Sequence, residues 1–184
     1  MVRFLLPLRN SGAIVFTAMM FVAFAFGARA DIAPFLGSYT GSAEVVSANG
    51  ESRDRDMSVD ISEQDEGFRV SWTSSTYRKD GSVNEKSYTV DFVPTEREGV
   101  YAAAQKKNVF GHLVQLDPMK GEPYVWGQID GDSLTVYSMF VTESGGYEMQ
   151  EFDRKLAPGG LNLDFRRVRN GEILRTVSTF LEKQ

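Results

Sequence analysis

The chain has 184 residues, no cysteine and a net charge of -5, because 25 Asp and Glu residues outnumber 20 Lys and Arg residues. The absence of cysteine excludes disulfides, thiol catalysis and cysteine-bound metal centres. The acidic charge argues against a nucleic-acid partner, because the phosphate backbone would be repelled.

The first thirty residues predict a cleavable secretory signal peptide. Arg3 and Arg9 give a positive start, an apolar run of fourteen residues covers 13–26, and Ala28-Arg29-Ala30 presents small residues at the cleavage positions. A retained membrane anchor is the alternative, but a spanning helix needs about 20 apolar residues. We therefore expect a periplasmic or secreted mature protein, residues 31–184, that forms a single domain with a net charge of -8 and no membrane span.

Beyond residue 30, apolar and polar residues alternate with a period of two, and no useful stretch shows helical periodicity. Asn-Gly and Asp-Gly pairs between these runs favour tight hairpins, so that neighbouring strands are antiparallel. A sandwich or a barrel would satisfy this pattern, and closure into a barrel removes the exposed sheet edges. We predict an all-β, antiparallel up-and-down barrel of about 8–10 strands. The runs that predict strands are 35–46, 57–62, 68–77, 87–92, 100–104, 109–116, 124–129, 134–142, 147–153, 161–168 and 173–182.

The last hairpin allows a prediction of register. If Asn170 and Gly171 are the two central turn residues, Phe165 faces Thr176 and Leu163 faces Ser178 on one side of the sheet. Arg167 continues this apolar face towards the turn. A slip of one residue would exchange the faces of the partner strand.

Two segments resemble calycin barrels, the group that includes lipocalins, fatty-acid-binding proteins and nitrobindin-like proteins. The stretch Phe35-Leu36-Gly37-Ser38-Tyr39-Thr40-Gly41 resembles their Gly-x-Trp/Tyr-x-Gly opening, and residues 67–94 are similar to the second hairpin of nitrobindin-like barrels. The resemblance implies that Tyr39 plugs the closed end of a lipocalin-like barrel. Nitrobindin-like proteins hold haem through a histidine near the chain's end; the run 173–182 has none, so we expect no haem.

Nothing in the sequence assembles a catalytic or metal site. His112 is the only histidine, and no cluster of further ligands or Gly-x-Ser-x-Gly elbow accompanies it, which favours a loop or strand-edge residue. The acidic groups at 63–66 and 130–132 coincide with turns and lack the spacing of a calcium loop. We expect no cofactor, no bound metal and no enzymatic activity; an enzyme of unknown class is the least favoured alternative.

The aromatic residues suggest a different kind of site. Seventeen Phe, Tyr and Trp residues follow residue 30, and those on predicted strands can either line a pocket for a small apolar ligand or fill the barrel. Arg167 can clamp a ligand carboxylate, helped by Thr176 and Ser178, or lie at the rim with its head in water. We expect an exported lipocalin-like barrel that binds a small hydrophobic ligand; the alternative is a non-enzymatic envelope interaction or structural protein with a filled core. The candidate ligand-binding residues are Trp72, Tyr88, Phe92, Trp126, Phe140 and Arg167.

Overall fold

A computed structural model describes residues 31–46, 52–104, 106–107, 113–114 and 116–184. The segment predicted to be a signal peptide, the Asn49-Gly50 turn, His112 and most of the predicted strand 109–116 lie outside the described residues. Among the residues described, no helix is both long enough and apolar enough to cross a membrane.

Ten strands form a closed antiparallel barrel, which confirms the predicted fold class. The strands are β1 Gly37–Val46, β2 Ser52–Gln64, β3 Gly67–Tyr77, β4 Val83–Pro94, β5 Val100–Ala103, β6 Lys106–Lys107, β7 Leu113–Val114, β8 Tyr124–Asp130, β9 Ser133–Val141, β10 Tyr147–Ala157, β11 Gly160–Arg169 and β12 Glu172–Lys183. The barrel order is β1-β12-β11-β10-β9-β8-β5-β4-β3-β2, with β1 also paired to β2, and β6 and β7 form a separate two-stranded sheet. Neighbouring strands of the barrel follow one another in sequence except at β5–β8, where that small sheet intervenes, and at β1–β12, which closes the barrel.

Several strands extend beyond the apolar alternation that predicted them. β2 begins at Ser52 instead of residue 57, and its first five residues, Ser-Arg-Asp-Arg-Asp, include no apolar side chain. They pair with the second half of β1, so main-chain hydrogen bonding carries the strand past its apolar part. Arg53 and Arg55 line the barrel interior, whereas the two aspartates alternate to the other face.

One end of the barrel is closed by a short 3-10 helix, Ala33–Phe35, which precedes β1. Tyr39 is buried beneath it and donates a hydrogen bond to the carbonyl of Phe35 at 2.8 Å. Lys183 lies over the Tyr39 ring and donates to the carbonyl of Leu36 at 2.7 Å, which ties the last strand to the same end. Gly41 lets β1 lie close to β12, because a Cβ at position 41 would collide with the carbonyl oxygen of Phe180. The buried apolar core fills this half of the barrel.

The last hairpin has the predicted turn but a different register. Asn170 and Gly171 both have positive φ, 50° and 86°, and Arg169 pairs with Glu172 across them. The pairing then shifts between Arg167 and Val168, whose partners are Arg175 and Ile173, so Leu174 is an extra residue in β12.

Because of this bulge, the predicted faces of β12 are wrong beyond Leu174. Phe165 pairs with Val177 and Leu163 with Thr179, so Thr176 and Ser178 lie on the outside of the barrel. Ser178 donates there to the Asp164 carboxylate. The predicted hydrogen-bonding partners of Arg167 are therefore wrong: neither hydroxyl reaches the interior.

Candidate functional site

The half of the barrel away from the 3-10 helix contains a cavity of about 380 Å3 that is partly open to solvent. Its walls come from the ends of β2, β3 and β4 and, on the other side, from β10, β11 and β12. These strand ends lead to the turns 78–82 and 170–171 rather than to the closed end. The volume falls within the range of about 300–1,000 Å3 that is usual for small-molecule sites.

A row of aromatic rings lies across the inner end of the cavity. Trp72 of β3 stacks on Tyr88 of β4, with ring centroids 5.3 Å apart, and contacts Phe152 of β10 at 5.4 Å across the barrel interior. Phe152 in turn contacts Phe165 of β11 at 4.8 Å. All four rings line the cavity and give its inner end an apolar floor, and Tyr88 at one end of the row is half-exposed.

The walls are strongly cationic although the protein as a whole is acidic. Six arginines and one lysine line the cavity, and among the described residues its lining includes no Asp or Glu. Apolar residues such as Met57, Val59 and Val177 alternate with these cations along the strands. The cations are Arg53, Arg55, Arg78, Lys86, Arg154, Arg167 and Arg175.

Arg167 is neutralised by a carboxylate of its own chain. Its Nε and Nη2 donate to the two oxygens of Glu148 at 2.6 and 2.7 Å. Arg169 donates to the same carboxylate at 2.7 Å, and Gln150 adds a bond at 3.2 Å. Burial of Glu148, whose side chain is 0% exposed, opposes ionisation, but these hydrogen bonds outweigh it and lower its pKa to about 2. Arg167 therefore holds a carboxylate bidentately, and that carboxylate is Glu148 of its own chain.

Arg154 is a buried cation with few partners. The residue is 1% exposed, its Nη1 makes one long hydrogen bond of 3.4 Å to the carbonyl of Phe152, and its Nε has no hydrogen-bond partner. Its guanidinium carbon lies 5.9 Å from the centroid of Trp72 and 5.6 Å from that of Phe152. Burial lowers its pKa to about 10, which still leaves it charged at neutral pH.

Arg55 and Arg175 place two further positive charges in the cavity wall. Nε of Arg55 donates to the Thr76 hydroxyl at 2.9 Å. Burial, followed by repulsion from Arg175, lowers the pKa of Arg55. Among the described residues, no ion pair joins either guanidinium to a carboxylate. The site therefore combines apolar rings with two guanidinium groups, those of Arg55 and Arg175, that no carboxylate of the described residues balances.

The structure brings together three of the six predicted ligand-binding residues. Trp72, Tyr88 and Arg167 line the cavity. Phe92 lies in the closed-end core, 1% exposed and stacked on Phe68 at 5.0 Å.

Trp126 and Phe140 also lie away from the cavity lining. Trp126 pairs and stacks with Tyr137 on the outer face, with ring centroids 4.8 Å apart, because the alternate residue Gly127 is the one that faces the core. Phe140 lies half-buried on β9 opposite Glu148. The structure therefore does not bring Phe92, Trp126 and Phe140 to the cavity with the other three predicted residues.

Sequence reasoning missed Arg154, Arg55 and Arg175, together with Phe152. A signal was present: each arginine continues an apolar alternation, as Arg154 does with Phe152 and Leu156 on β10. The same reasoning had singled out Arg167 alone. In a half-buried strand, an arginine in phase with the apolar face is a candidate interior cation.

The described part of the chain contains no candidate metal site. No group of three or more His, Cys, Asp or Glu side chains is placed there to hold a metal ion.

Comparison with known proteins leaves the family open. No protein-family model and no curated protein matches the chain. Among solved structures, it is similar to one described as the crystal structure of Rv2717c from M. tuberculosis, with 12% sequence identity and a TM-score of 0.49. That match covers 83% of this chain and 94% of the other.

Proposed function

We propose that this protein is an exported, calycin-type barrel that binds a small organic ligand in its open half. The observation that carries the proposal is the cavity of about 380 Å3 above an aromatic row. Flat apolar surfaces of Trp72, Phe152 and Phe165 give such a ligand a place to bury its own apolar surface, which is the main source of affinity in sites of this kind.

The placement of the row supports this function in preference to a filled-core interaction protein. In a filled barrel, side chains from opposite walls meet along the full length of the interior. Here Trp72 and Phe152 meet near the middle, and the residues above them are arginines and small polar side chains that leave space. The resemblance of the Gly37-Ser38-Tyr39-Thr40-Gly41 segment to calycin barrels agrees with a carrier or sensor of a small molecule.

The two tryptophans provide a direct test, since Trp72 lines the cavity and Trp126 lies outside it. In Trp126→Phe, Trp72 is the only fluorophore of its kind, and a neutral bromoalkane, whose bromine quenches on contact, should quench it saturably. The matched control is Trp72→Phe, which leaves Trp126 as the reporter and should show no saturable quenching. The purified wild-type protein should also release a small molecule on denaturation, detectable by mass spectrometry.

The proposal fails if neither tryptophan responds and no small molecule is released. It also fails if Trp126 is the residue that is quenched saturably, because the binding surface would then lie outside the barrel.

A further inference from the structure

Three arginines of the cavity lack an acidic partner in the part of the chain that the structure describes. Of its arginines, Arg167 is paired with Glu148. Arg154, Arg55 and Arg175 have no carboxylate partner among the described residues, and burial or mutual repulsion disfavours the charge of Arg154 and Arg55. An unpaired charge taken out of water is destabilising, so a site that keeps several of them requires an explanation.

Arg154 is the most informative of the three. The faces of Trp72 and Phe152 offset part of its burial through cation–π contact, yet the Nε hydrogen remains without an acceptor. A methionine or leucine would fill the same space without this cost. Arg154 is one of the residues that line the cavity, so a ligand bound there can supply the missing acceptor.

The other two arginines lie nearer the turns. Arg175 pairs with Arg167, which pairs with Gln150, four residues before Arg154 on β10. At about 3.3 Å per residue, the two levels are separated by about 13 Å along the strand. The cavity thus has positive charge both beside its apolar floor and along its outer wall.

We propose that the ligand is an amphipathic organic anion, whose acidic group pairs with Arg154 while its flat apolar part lies against Trp72 and Phe152. Arg55 and Arg175, which lie nearer the turns, attract the anion as it enters the cavity. This inference rests on the proposed function and adds the chemical class of the ligand: a carboxylate, sulfonate or phosphate ester on an apolar body.

Two fluorescent probes separate charge from apolar contact. N-phenyl-1-naphthylamine is neutral, and 8-anilino-1-naphthalenesulfonate has the same aromatic body with a sulfonate. At constant ionic strength, wild-type protein should bind the sulfonate at least about tenfold more tightly than the neutral probe, as expected for a charge-assisted hydrogen bond in a buried site. Arg154→Met and Arg175→Gln should each reduce this preference several-fold and leave the affinity for the neutral probe little changed.

Arg166→Gln is the matched control, since it removes the same charge from the outer face of β11, where Arg166 pairs with Glu151. It should leave the preference intact. Binding of the neutral probe shows that each variant is folded, and Arg175→Gln keeps the test available if Arg154→Met does not fold.

The outcomes distinguish the two proposals. Equal affinity for both probes in the wild type, or a preference that survives both cavity variants, overturns the anionic ligand and leaves the binding barrel standing. If neither probe binds, the proposed function falls, and the inference about the ligand falls with it.

Discussion

Glu148 offers a sharp test of the electrostatics that shape the cavity. Replacing it by Gln removes the negative charge that pairs with both Arg167 and Arg169, while keeping the size of the side chain. The pKa of Glu148 is about 2 against an ordinary value of 4.5, and that difference corresponds to about 3 kcal/mol of stability at neutral pH. For a domain of this size, Glu148→Gln should therefore lower the melting temperature by about 6–12 °C.

The lowered pKa of Glu148 also predicts how the stability of the protein depends on pH. The folded protein holds Glu148 ionised more strongly than the unfolded chain does, so its contribution is complete above pH 4.5 and is lost as the pH falls towards 2. Urea unfolding of wild type and Glu148→Gln over this range should show two curves that converge on acidification.

The matched control is Glu151→Gln, which breaks the outer-face pair with Arg166 and should cost less than about 1 kcal/mol. Equal losses in the two variants, or a gap that stays constant down to pH 2, would refute the assignment. Because Glu148→Gln also releases Arg167, it should strengthen binding of the anionic probe while it weakens the fold.

Three further predictions concern the fold and its processing. Deleting Leu174 should change the free energy of unfolding by less than about 1 kcal/mol, because only the bulge residue is removed and the register from Arg175 onwards is kept. Deleting Ser178 should unfold the protein, because the deletion moves the side chains of one part of β12 to the opposite face of the sheet. Tyr39→Phe should cost about 1 kcal/mol in chemical denaturation through its lost buried hydrogen bond, and the exposed Tyr77→Phe markedly less. The intact mass of the protein recovered from the cells that produce it should correspond to a chain that begins at Asp31, and a mass that includes the first thirty residues would contradict cleavage.

The barrel could be predicted because the information that specifies it is local. Period-two alternation locates the strands, and Asn170-Gly171 specifies a tight turn by its positive φ angles. The bulge at Leu174 could not be read in the same way, because an inserted residue leaves the alternation on either side intact. The bulge nevertheless reverses the face of every residue from Arg175 to the end of β12. A register without the bulge therefore predicts Thr176 and Ser178 inside the barrel.

The site was less predictable, because whether a side chain points into or out of the barrel depends on the packing of the whole barrel. Trp126 lies between Val125 and Gly127, and only the packing of Gly127 against Phe92 shows that the tryptophan points outwards. The cationic character of the cavity was hidden by a chain whose net charge is negative. Arg154 could be recognised as a cavity residue only in the folded barrel, where Trp72, far away in sequence, lies beside it.

The central claim is that an organic anion binds inside the barrel, between Arg154 and the aromatic row. Titration with 8-anilino-1-naphthalenesulfonate, followed by 1H–15N NMR, reports on it at three positions: the indole N–H groups of Trp72 and Trp126 and the Nε–H of Arg154. The account predicts that the Trp72 and Arg154 signals shift together and saturate at one equivalent, while the Trp126 signal stays in place. Saturable movement of the Trp126 signal, with Trp72 and Arg154 unchanged, would contradict it.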